Sequence, residues 1–543
     1  MGRAAPSRQL LLAFALSLAF LCGLIAWLQN VHVITNNGMY KVIQGEPWIT
    51  DPGGARLDPS NYLYFPLYGL LCRVLDALGI ARGVPWKQFA YLNAFFASLG
   101  VAFVYAFVHR QTHSALVAAL AALFHLGSGF VLLLAVINED IMPGYVLVLG
   151  SMLLAGLWFD RPNYTRVAIV GALFTLGWLM EWRLMFPTLP ALVLALAMAE
   201  GRLRYRLTMI AVLVAYMLAV SGIVQLLWEG HNGAVGLHDM LWTGKGVATG
   251  WAGLAWDKGW NMLSGVGNYL LLVGGFVDPA SARRVALPLA LSVLLQVAIL
   301  AVTLVLLWPR RNEPRIRAIA IIFLGTFVAG QVFNFYSQPQ DPQMQVNVMP
   351  WLTVAWALLA AALVVRPRMA AVLAVLSCVP LIWNVSQLAR WQGGDAAMQS
   401  SLAALEKSLP PDGTVFVYWG FEPITMWQYA QWSRTWDWDG APKIDERFKW
   451  IAVTAGAIRH PHWTPEQHAD ALRRDIDIAL ERGFRVVISN VWGWSVEELA
   501  GHLGGLAAAD RAPAIHRMLH EGYAARQVFT DPTIGAYYEL SRR

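Results

Sequence analysis

Long apolar segments recur from the N-terminus to about residue 385, and they constrain the fold of this chain more than any other feature. Each is roughly 18 residues or longer, the length that an α-helix needs to cross the hydrocarbon core of a bilayer. Only 14% of the 543 residues are charged, whereas soluble globular proteins average about 25%. The sequence therefore predicts an α-helical polytopic membrane protein. Its net charge of +6 lies mostly in short arginine-rich loops, which indicates membrane orientation rather than nucleic-acid binding.

We predict about eleven transmembrane helices. Their approximate ranges are 9–29, 86–108, 114–136, 141–159, a segment ending at 180, 185–199, 207–228, 285–308, 318–335, 348–365 and 369–385. The first is too long for a signal peptide and lacks a small-residue cleavage site, so we interpret it as a retained helix. Arginines precede it and recur in alternate loops, and the positive-inside rule therefore predicts a multi-pass protein of the cell inner membrane with a cytoplasmic N-terminus.

One further apolar segment, Met262–Val277, is short and rich in glycine. If it crossed the membrane, the later arginine-rich loop around Arg310 and Arg317 would face outward, against the positive-inside rule. We therefore predict a surface or re-entrant helix. Whether this segment crosses the membrane is left open by the sequence.

The composition changes after the last apolar segment, which divides the chain into two predicted domains. Residues 1–388 form the transmembrane domain, with exterior loops at 30–85 and 229–284, and residues 389–543 form a soluble periplasmic α/β domain. In the second domain, apolar runs predict strands at 414–418, 450–454, 485–489 and 534–540. Thr464 and Gln467 have the spacing of a capping box that opens a helix to about Arg482, and Gly483 is typical of its end.

Polar clusters fall in the loops that the predicted topology places outside. The first loop carries the acids Glu46, Asp51 and Asp58 together with Arg56. The later clusters are Glu139/Asp140, Glu181/Arg183 and Gln338/Gln340/Asp341/Gln343, and a tryptophan-rich loop carries Lys245. Because charges at membrane depth are energetically costly and usually functional, these clusters at one rim of the helical bundle predict one site at the exterior face.

These residue types suit acid–base and phosphate chemistry. A carboxylate of the set could deprotonate a hydroxyl as a general base, or Glu139 and Asp140 could hold a divalent cation such as Mg or Mn. Arg183 could hold a phosphate through two parallel hydrogen bonds. The structural alternative is that Glu139/Asp140 only mark a turn, and that Glu181 and Arg183, two apart at a helix end, do not face each other and only cap the span or extend to lipid headgroups.

Four segments carry a resemblance to a known family. They are MYKVIQGEPWI at 39–49, YFPLY at 64–68, NEDIMPGYVL at 138–147 and GWLMEWRLMFPTLPAL at 177–192. In this order they resemble the GT-C glycosyltransferases, polytopic enzymes that use polyprenyl-phosphate sugars at the outer face of a membrane. The resemblance is strongest to bacterial members related to protein O-mannosyltransferase and aminoarabinose transferase. The chain departs from the family at Asn36-Asn37, where members usually carry an acidic residue that serves as the base.

The resemblance implies an inverting transferase that moves a sugar from a polyprenyl-phosphate donor to a glycan, lipid or protein acceptor. It places the donor phosphate near Arg183, with Arg56, Lys245 and Tyr64 as further donor-binding candidates. The base is then Asp51 or Glu46, with Asp58, Glu139 and Asp140 as the remaining candidates. Two alternatives stay open: a subunit that binds lipid-linked sugar without turnover, suggested by Asn36-Asn37, and a transporter, which the absence of matched broken helices in the sequence disfavours.

Overall fold

The computed structural model describes residues 7–28, 41–42, 45, 47–53, 55, 57–58, 61–82, 84–231, 258–273, 286–336, 342–410, 413–419, 449–454, 456, 463–504 and 508–543. The chain forms two compact units. The first consists of Met1–Gln29 and Pro47–Arg390, and the second consists of Asn30–Glu46 and Trp391–Arg543.

The first unit is helical. Its helices are α1 (Ser7–Leu28), α2 (Tyr64–Ala77), α3 (Pro85–Thr112), α4 (Ala115–Gly127), α5 (Gly129–Val136), α6 (Ile141–Trp158), α7 (Tyr164–Met180), α8 (Met185–Ala197), α9 (Leu203–Leu227), α10 (Lys258–Leu270), α11 (Ala286–Leu307), α12 (Pro314–Tyr336), α13 (Pro350–Leu363) and α14 (Pro367–Ser408). The last of these continues into the second unit.

Within the described ranges, seven helices are long and apolar enough to cross a membrane, and the bent pair α4–α5 makes an eighth candidate. The helix α7, the segment Trp182–Ala197 and α13 are apolar but shorter. The prediction of a polytopic helical membrane protein is confirmed. The helix α10, which overlaps the ambiguous segment Met262–Val277, has only 13 residues, and residues 274–285 lie outside the described part.

The third predicted span is not one straight helix, because α4 and α5 are bent by 68° at Ser128. Glycines on both sides of the bend allow close approach: a Cβ on Gly127 would lie 2.9 Å from the backbone nitrogen of Leu381. The side chain of Asn384 satisfies a carbonyl at the bend and another at the end of α10. Its Nδ2 donates to the carbonyl of Gly127 at 2.7 Å and to that of Leu270 at 2.9 Å. Both of these backbone carbonyls therefore have a hydrogen-bond donor despite the break in the helix.

The helices α6 and α7 approach each other at two glycines. A Cβ on Gly177 would lie 2.7 Å from Cγ2 of Val148 and 2.9 Å from the carbonyl oxygen of Gly144. A Cβ on Gly144 would in turn lie 2.7 Å from the carbonyl oxygen of Gly177. The small residues thus set the spacing of the two helices, as is common in membrane helix pairs.

We expect Gly177→Ala to destabilise the protein by about 1–3 kcal/mol, because the added methyl group has no space between α6 and α7. Gly222→Ala in α9 is the matched control, since its Cβ would meet no atom within 4 Å. Thermal unfolding in detergent measures both variants. Equal unfolding midpoints for the two would contradict the close packing described here.

The second unit contains a five-stranded sheet in the order β2-β1-β3-β5-β4. Its elements are β1 (Thr414–Tyr418), β2 (Lys449–Ala452), α15 (Pro465–Glu481), β3 (Arg485–Ile488), α16 (Val496–Gly504), α17 (Ala512–Gly522), β4 (Tyr523–Asp531) and β5 (Gly535–Arg542). The first three strands are parallel, whereas β4 and β5 pair in antiparallel fashion. The predicted α/β character is confirmed. Of the four predicted strands, β1 has the predicted ends, and β2, β3 and β5 are present with shifted ends.

Apolar clusters cover both faces of this sheet. Residues of α15, α16 and α17 pack on one face, and Leu402 and Leu405, near the end of α14, pack with Phe416 and Tyr537 on the other. The capping box of Thr464 and Gln467 is formed as predicted. Sequence reasoning missed β4, because this strand lacks a clean alternation of buried and exposed residues.

Candidate functional site

Two helix breaks in the first unit bring polar side chains together. The first break is the connection Ile137–Asp140 between α5 and α6, and it is buried in full: Asn138 is 1% exposed, and Glu139 and Asp140 are 0% exposed. The amide of Asn93 in α3 holds this connection. Its Nδ2 donates to the carbonyl oxygens of Ile137 and Glu139, both at 2.7 Å. The hydroxyl of Tyr68 donates to Oδ1 of the same amide.

Tyr64 lies against the same connection. Its ring packs on Tyr68 with centroids 4.3 Å apart, and its hydroxyl donates to the carbonyl oxygen of Glu139 at 3.4 Å. Burial raises the pKa of the Tyr64 phenol well above its usual value, and Tyr68 and the negative charges of Asp140 and Glu139 raise it further. The phenol therefore keeps its proton and stays a donor. The predicted donor-binding residue Tyr64 and the acid pair are thus neighbours.

The second break is the corner between α7 and α8. Glu181 has extended backbone angles, φ −149° and ψ 104°, and it separates α7 from a short 3₁₀ turn at Trp182–Leu184. The start of α2 is attached to this corner, since the amide of Leu63 donates to the carbonyl oxygen of Leu179 at 2.9 Å. The extended residue redirects the chain, so its side chain and that of Arg183 point to the same place.

The expectation that Glu181 and Arg183 do not face each other was wrong. Nε of Arg183 lies 2.6 Å from Oε1 of Glu181, and Nη2 of Arg183 lies 3.0 Å from Oε2. The two side chains therefore form a bidentate ion pair. The prediction assumed helical geometry, in which residues two apart diverge. The extended backbone of Glu181 removes that condition.

Arg183 also connects the two breaks. Its Nη2 lies 4.0 Å from Oδ1 of Asp140. Glu181, Glu139 and Asp140 are at most 1% exposed, while the Arg183 side chain is 21% exposed. A guanidinium at the edge of a group of buried carboxylates can accept a further anion from the open side. Buried charges of this kind are energetically costly and are concentrated at functional sites.

A small cleft extends from this ion pair towards polar side chains of other helices. It is lined by Ile141, Glu181, Arg183, Leu184, Pro187, Phe333, Asn334, Gln343 and Asn347. Gln343 belongs to the predicted glutamine-rich cluster, whereas Asn334 and Asn347 were missed. The sequence does indicate Asn334, because it is a polar residue near the end of the apolar helix α12. The structure shows that it is only 1% exposed.

The other predicted site residues are distributed differently. Asp51 is exposed and Asp58 is half-buried. Near Asp51 in the sequence, Trp48 is buried and stacks on His231 with ring centroids 5.5 Å apart, so this aromatic residue of the loop between α1 and α2 packs in the protein interior. Glu46, Arg56 and Lys245 lie outside the described residues, as do Gln338, Gln340 and Asp341.

The described residues do not make a complete divalent-cation site. Within the described ranges, no group of three or more His, Cys, Asp or Glu side chains could hold a metal ion. The predicted metal ligands Glu139 and Asp140 are adjacent, but the fixed positive charge of Arg183 lies beside Asp140. Mg²⁺ and Ca²⁺ take six or more oxygen ligands, and two adjacent carboxylates supply only part of such a set. We therefore derive no step through a metal.

We expect Asn93→Leu to destabilise the protein by about 2–4 kcal/mol, because it leaves the buried carbonyls of Ile137 and Glu139 without their donor. Ser98→Ala in the same helix is the control, since it removes only a hydrogen bond to Ala94 one turn away. The change in unfolding midpoint in detergent measures the difference. If the two variants were equally stable, the amide of Asn93 would not hold the connection.

The fold and this site together define a polytopic membrane protein in which a carboxylate–guanidinium cluster lies where helices break. No protein-family model matches the sequence, and no curated protein matches it. Among solved structures, ArnT from Cupriavidus metallidurans bound to undecaprenyl phosphate aligns over 98% of each chain, with a TM-score of 0.56 and 15% identity. The Archaeoglobus fulgidus oligosaccharyltransferase in complex with Zn and sulfate aligns over 96% of this chain and 72% of its own, with a TM-score of 0.50 and 14% identity.

Both solved structures are GT-C glycosyltransferases. The chain therefore has the GT-C fold, and the resemblance that the sequence suggested is confirmed at the level of the fold. At 15% and 14% identity the likeness establishes architecture. Function has to be argued from the site itself.

Proposed function

We propose that this protein is a membrane glycosyltransferase that moves a sugar from a polyprenyl-phosphate donor to an acceptor on the extracytoplasmic face. The observation that carries the proposal is the convergence of Arg183 with Glu181 and Asp140 at two helix breaks of a GT-C fold. The ArnT structure, whose ligand is undecaprenyl phosphate, supports a lipid phosphate as the donor group. The acceptor is a hydroxyl or amine of a glycan, lipid or protein.

Arg183 has the chemistry to bind the donor phosphate. Its guanidinium is partly exposed while its carboxylate partners are buried, so a phosphate approaching from the open side meets the cation first. As the bond from the sugar to the phosphate breaks, negative charge develops on the leaving phosphate. A fixed cation at that position stabilises the transition state more than the ground state. Glu181 and Asp140 hold the guanidinium in place for this role.

The base belongs on the other side of the sugar. In an inverting displacement the acceptor attacks the anomeric carbon opposite to the departing phosphate oxygen, and the carboxylate that takes the acceptor proton lies on the acceptor side. Asp140, 4.0 Å from the Arg183 guanidinium, is on the phosphate side of such an arrangement. We therefore assign orientation to Glu139 and Asp140, and we assign the proton to Asp51 or Glu46 of the first loop, with Asp58 as the remaining candidate.

The test is a lipid analysis followed by an activity assay. Lipids bound to the purified protein are extracted and identified by mass spectrometry. The mass of a bound lipid-linked sugar identifies both the carrier lipid and the sugar. The protein is then reconstituted with that polyprenyl-phosphate sugar and an acceptor extract, and release of polyprenyl phosphate is measured. Release that depends on protein and acceptor supports the proposal. Protein that retains no polyprenyl-linked lipid, and that releases none, would overturn it.

A second candidate is a subunit that binds lipid-linked sugar without turnover. One observation favours it: both Nε and Nη2 of Arg183 already bond to Glu181, so a phosphate has to compete with a carboxylate. Asn36-Asn37, where the resembling family usually has an acid, agrees with this alternative. Retention of the intact donor, with no release of polyprenyl phosphate on addition of acceptor, is the result that this candidate predicts.

A further inference from the structure

A second cavity, which shares no lining residue with the polar cluster, lies between α1, α3 and α4. It is a groove of about 520 Å³ with an almost entirely apolar lining. Leu12, Leu16 and Phe20 form one wall, and Ala119, Leu123 and Leu126 form another. Two of the lining residues are joined by a hydrogen bond of 3.0 Å from the Tyr105 hydroxyl to Oε1 of Gln9. The proposed transfer reaction does not use this groove.

The length of the groove matches one leaflet of a bilayer. Its lining on α1 extends from Gln9 to Phe20, which corresponds to about 16 Å at a rise of 1.5 Å per residue. The hydrocarbon core of a membrane is about 30 Å thick, so one leaflet contributes about half of it. A phospholipid acyl chain spans one leaflet, whereas a long polyprenyl chain does not fit within that length.

Basic residues lie close in sequence to the lining residues Gln9 and Tyr105. Arg8 precedes Gln9, and Arg110 follows Tyr105 in the last turn of α3; both side chains are exposed. The imidazole of His109 stacks on Tyr105 with centroids 6.0 Å apart, and its buried Nδ1 has no hydrogen-bond partner among the described residues. The sequences of α1, α3 and α4 contain no Asp or Glu. The basic residues therefore favour an anionic headgroup.

We propose that this groove is a binding site for one acyl chain of an anionic glycerophospholipid, whose headgroup is held by Arg8, Arg110 and His109. The lipid lies in the leaflet that contains the N-terminal end of α1. It fills the space between α1 and the α3–α4 pair, so that the helices pack around a bound lipid. The site is independent of the proposed transfer reaction and goes beyond it.

Native mass spectrometry of protein released from nanodiscs tests the site. The nanodiscs contain equal amounts of phosphatidylglycerol and phosphatidylcholine with the same chains. The wild-type protein should retain phosphatidylglycerol in preference to phosphatidylcholine. Ala119→Trp fills the groove and should reduce the retained lipid at least about tenfold, since burial of an acyl chain supplies most of the affinity. Leu116→Trp is the control, because Leu116 is 48% exposed on the same helix and does not line the groove.

The headgroup is tested by Arg8→Gln and Arg110→Gln. Each variant should lower the ratio of retained phosphatidylglycerol to phosphatidylcholine about fivefold, while total retention changes less. Ala115→Trp fills the groove from a second position, so a folding defect in one tryptophan variant leaves the proposal testable. Equal retention by the wild type and both tryptophan variants would overturn the proposal. So would a wild type that does not distinguish the two headgroups.

Discussion

Arg183→Gln is expected to lower sugar transfer by about 10²–10³-fold, because the leaving phosphate loses the fixed cation that stabilises its developing charge. The same change should lower the free energy of unfolding by about 3 kcal/mol. It leaves the buried carboxylates of Glu181 and Asp140 next to a neutral amide. Release of polyprenyl phosphate and thermal unfolding in detergent measure the two effects separately.

The double variant Glu181→Gln with Arg183→Gln separates stability from catalysis. Removing Glu181 along with its partner removes one uncompensated buried charge, so most of the lost stability should return while transfer stays low. Arg161→Gln is the matched control. It breaks a comparable arginine–glutamate pair, with Glu200, in which the side chains are 79% and 43% exposed, and exposed pairs contribute little. Full transfer activity in a folded Arg183→Gln protein would remove Arg183 from the donor site.

Asp51→Asn is expected to lower transfer by about 10²–10⁴-fold if this residue takes the acceptor proton. The exposed position of Asp51 leads us to expect an unchanged unfolding midpoint. In the proposed arrangement Asp140→Asn acts differently. It removes a buried partner of Arg183 and should alter both stability and the apparent affinity for donor. Turnover at saturating donor, measured against pH, distinguishes a lost base from a misplaced donor site.

Glu46→Gln and Asp58→Asn complete the comparison. If Glu46 is the base, Glu46→Gln should lose most of its turnover, and the remaining turnover should no longer fall at acidic pH. Asp51→Asn should then keep both normal turnover and its decrease at acidic pH. Retained turnover in all three variants would show that no first-loop carboxylate takes the proton, and Asp140 would then be the next residue to test. A wild type that binds donor and never releases polyprenyl phosphate would instead favour the binding subunit.

The membrane architecture of this protein was determined by its sequence. A helix that crosses a bilayer satisfies its own backbone hydrogen bonds, so its existence depends on a local run of apolar residues and hardly on the rest of the chain. The same holds for the capping box at Thr464 and for the short apolar strand at Thr414–Tyr418, where local chemistry and burial agree. Strand β4 was missed because its residues lack a clean alternation of buried and exposed positions, and it is held by its pairing with β5.

The geometry of the candidate site was decided only by the tertiary structure. The sequence named Asp140, Glu181, Arg183 and Tyr64 as candidates, but it placed Glu181 and Arg183 on diverging faces of a helix. One extended residue at Glu181 reverses that expectation, and a hydrogen-bonded amide in α3, Asn93, holds the connection that carries Asp140. Periodicity describes regular elements, whereas the site lies at helix breaks, where contacts between distant segments set the direction of each side chain.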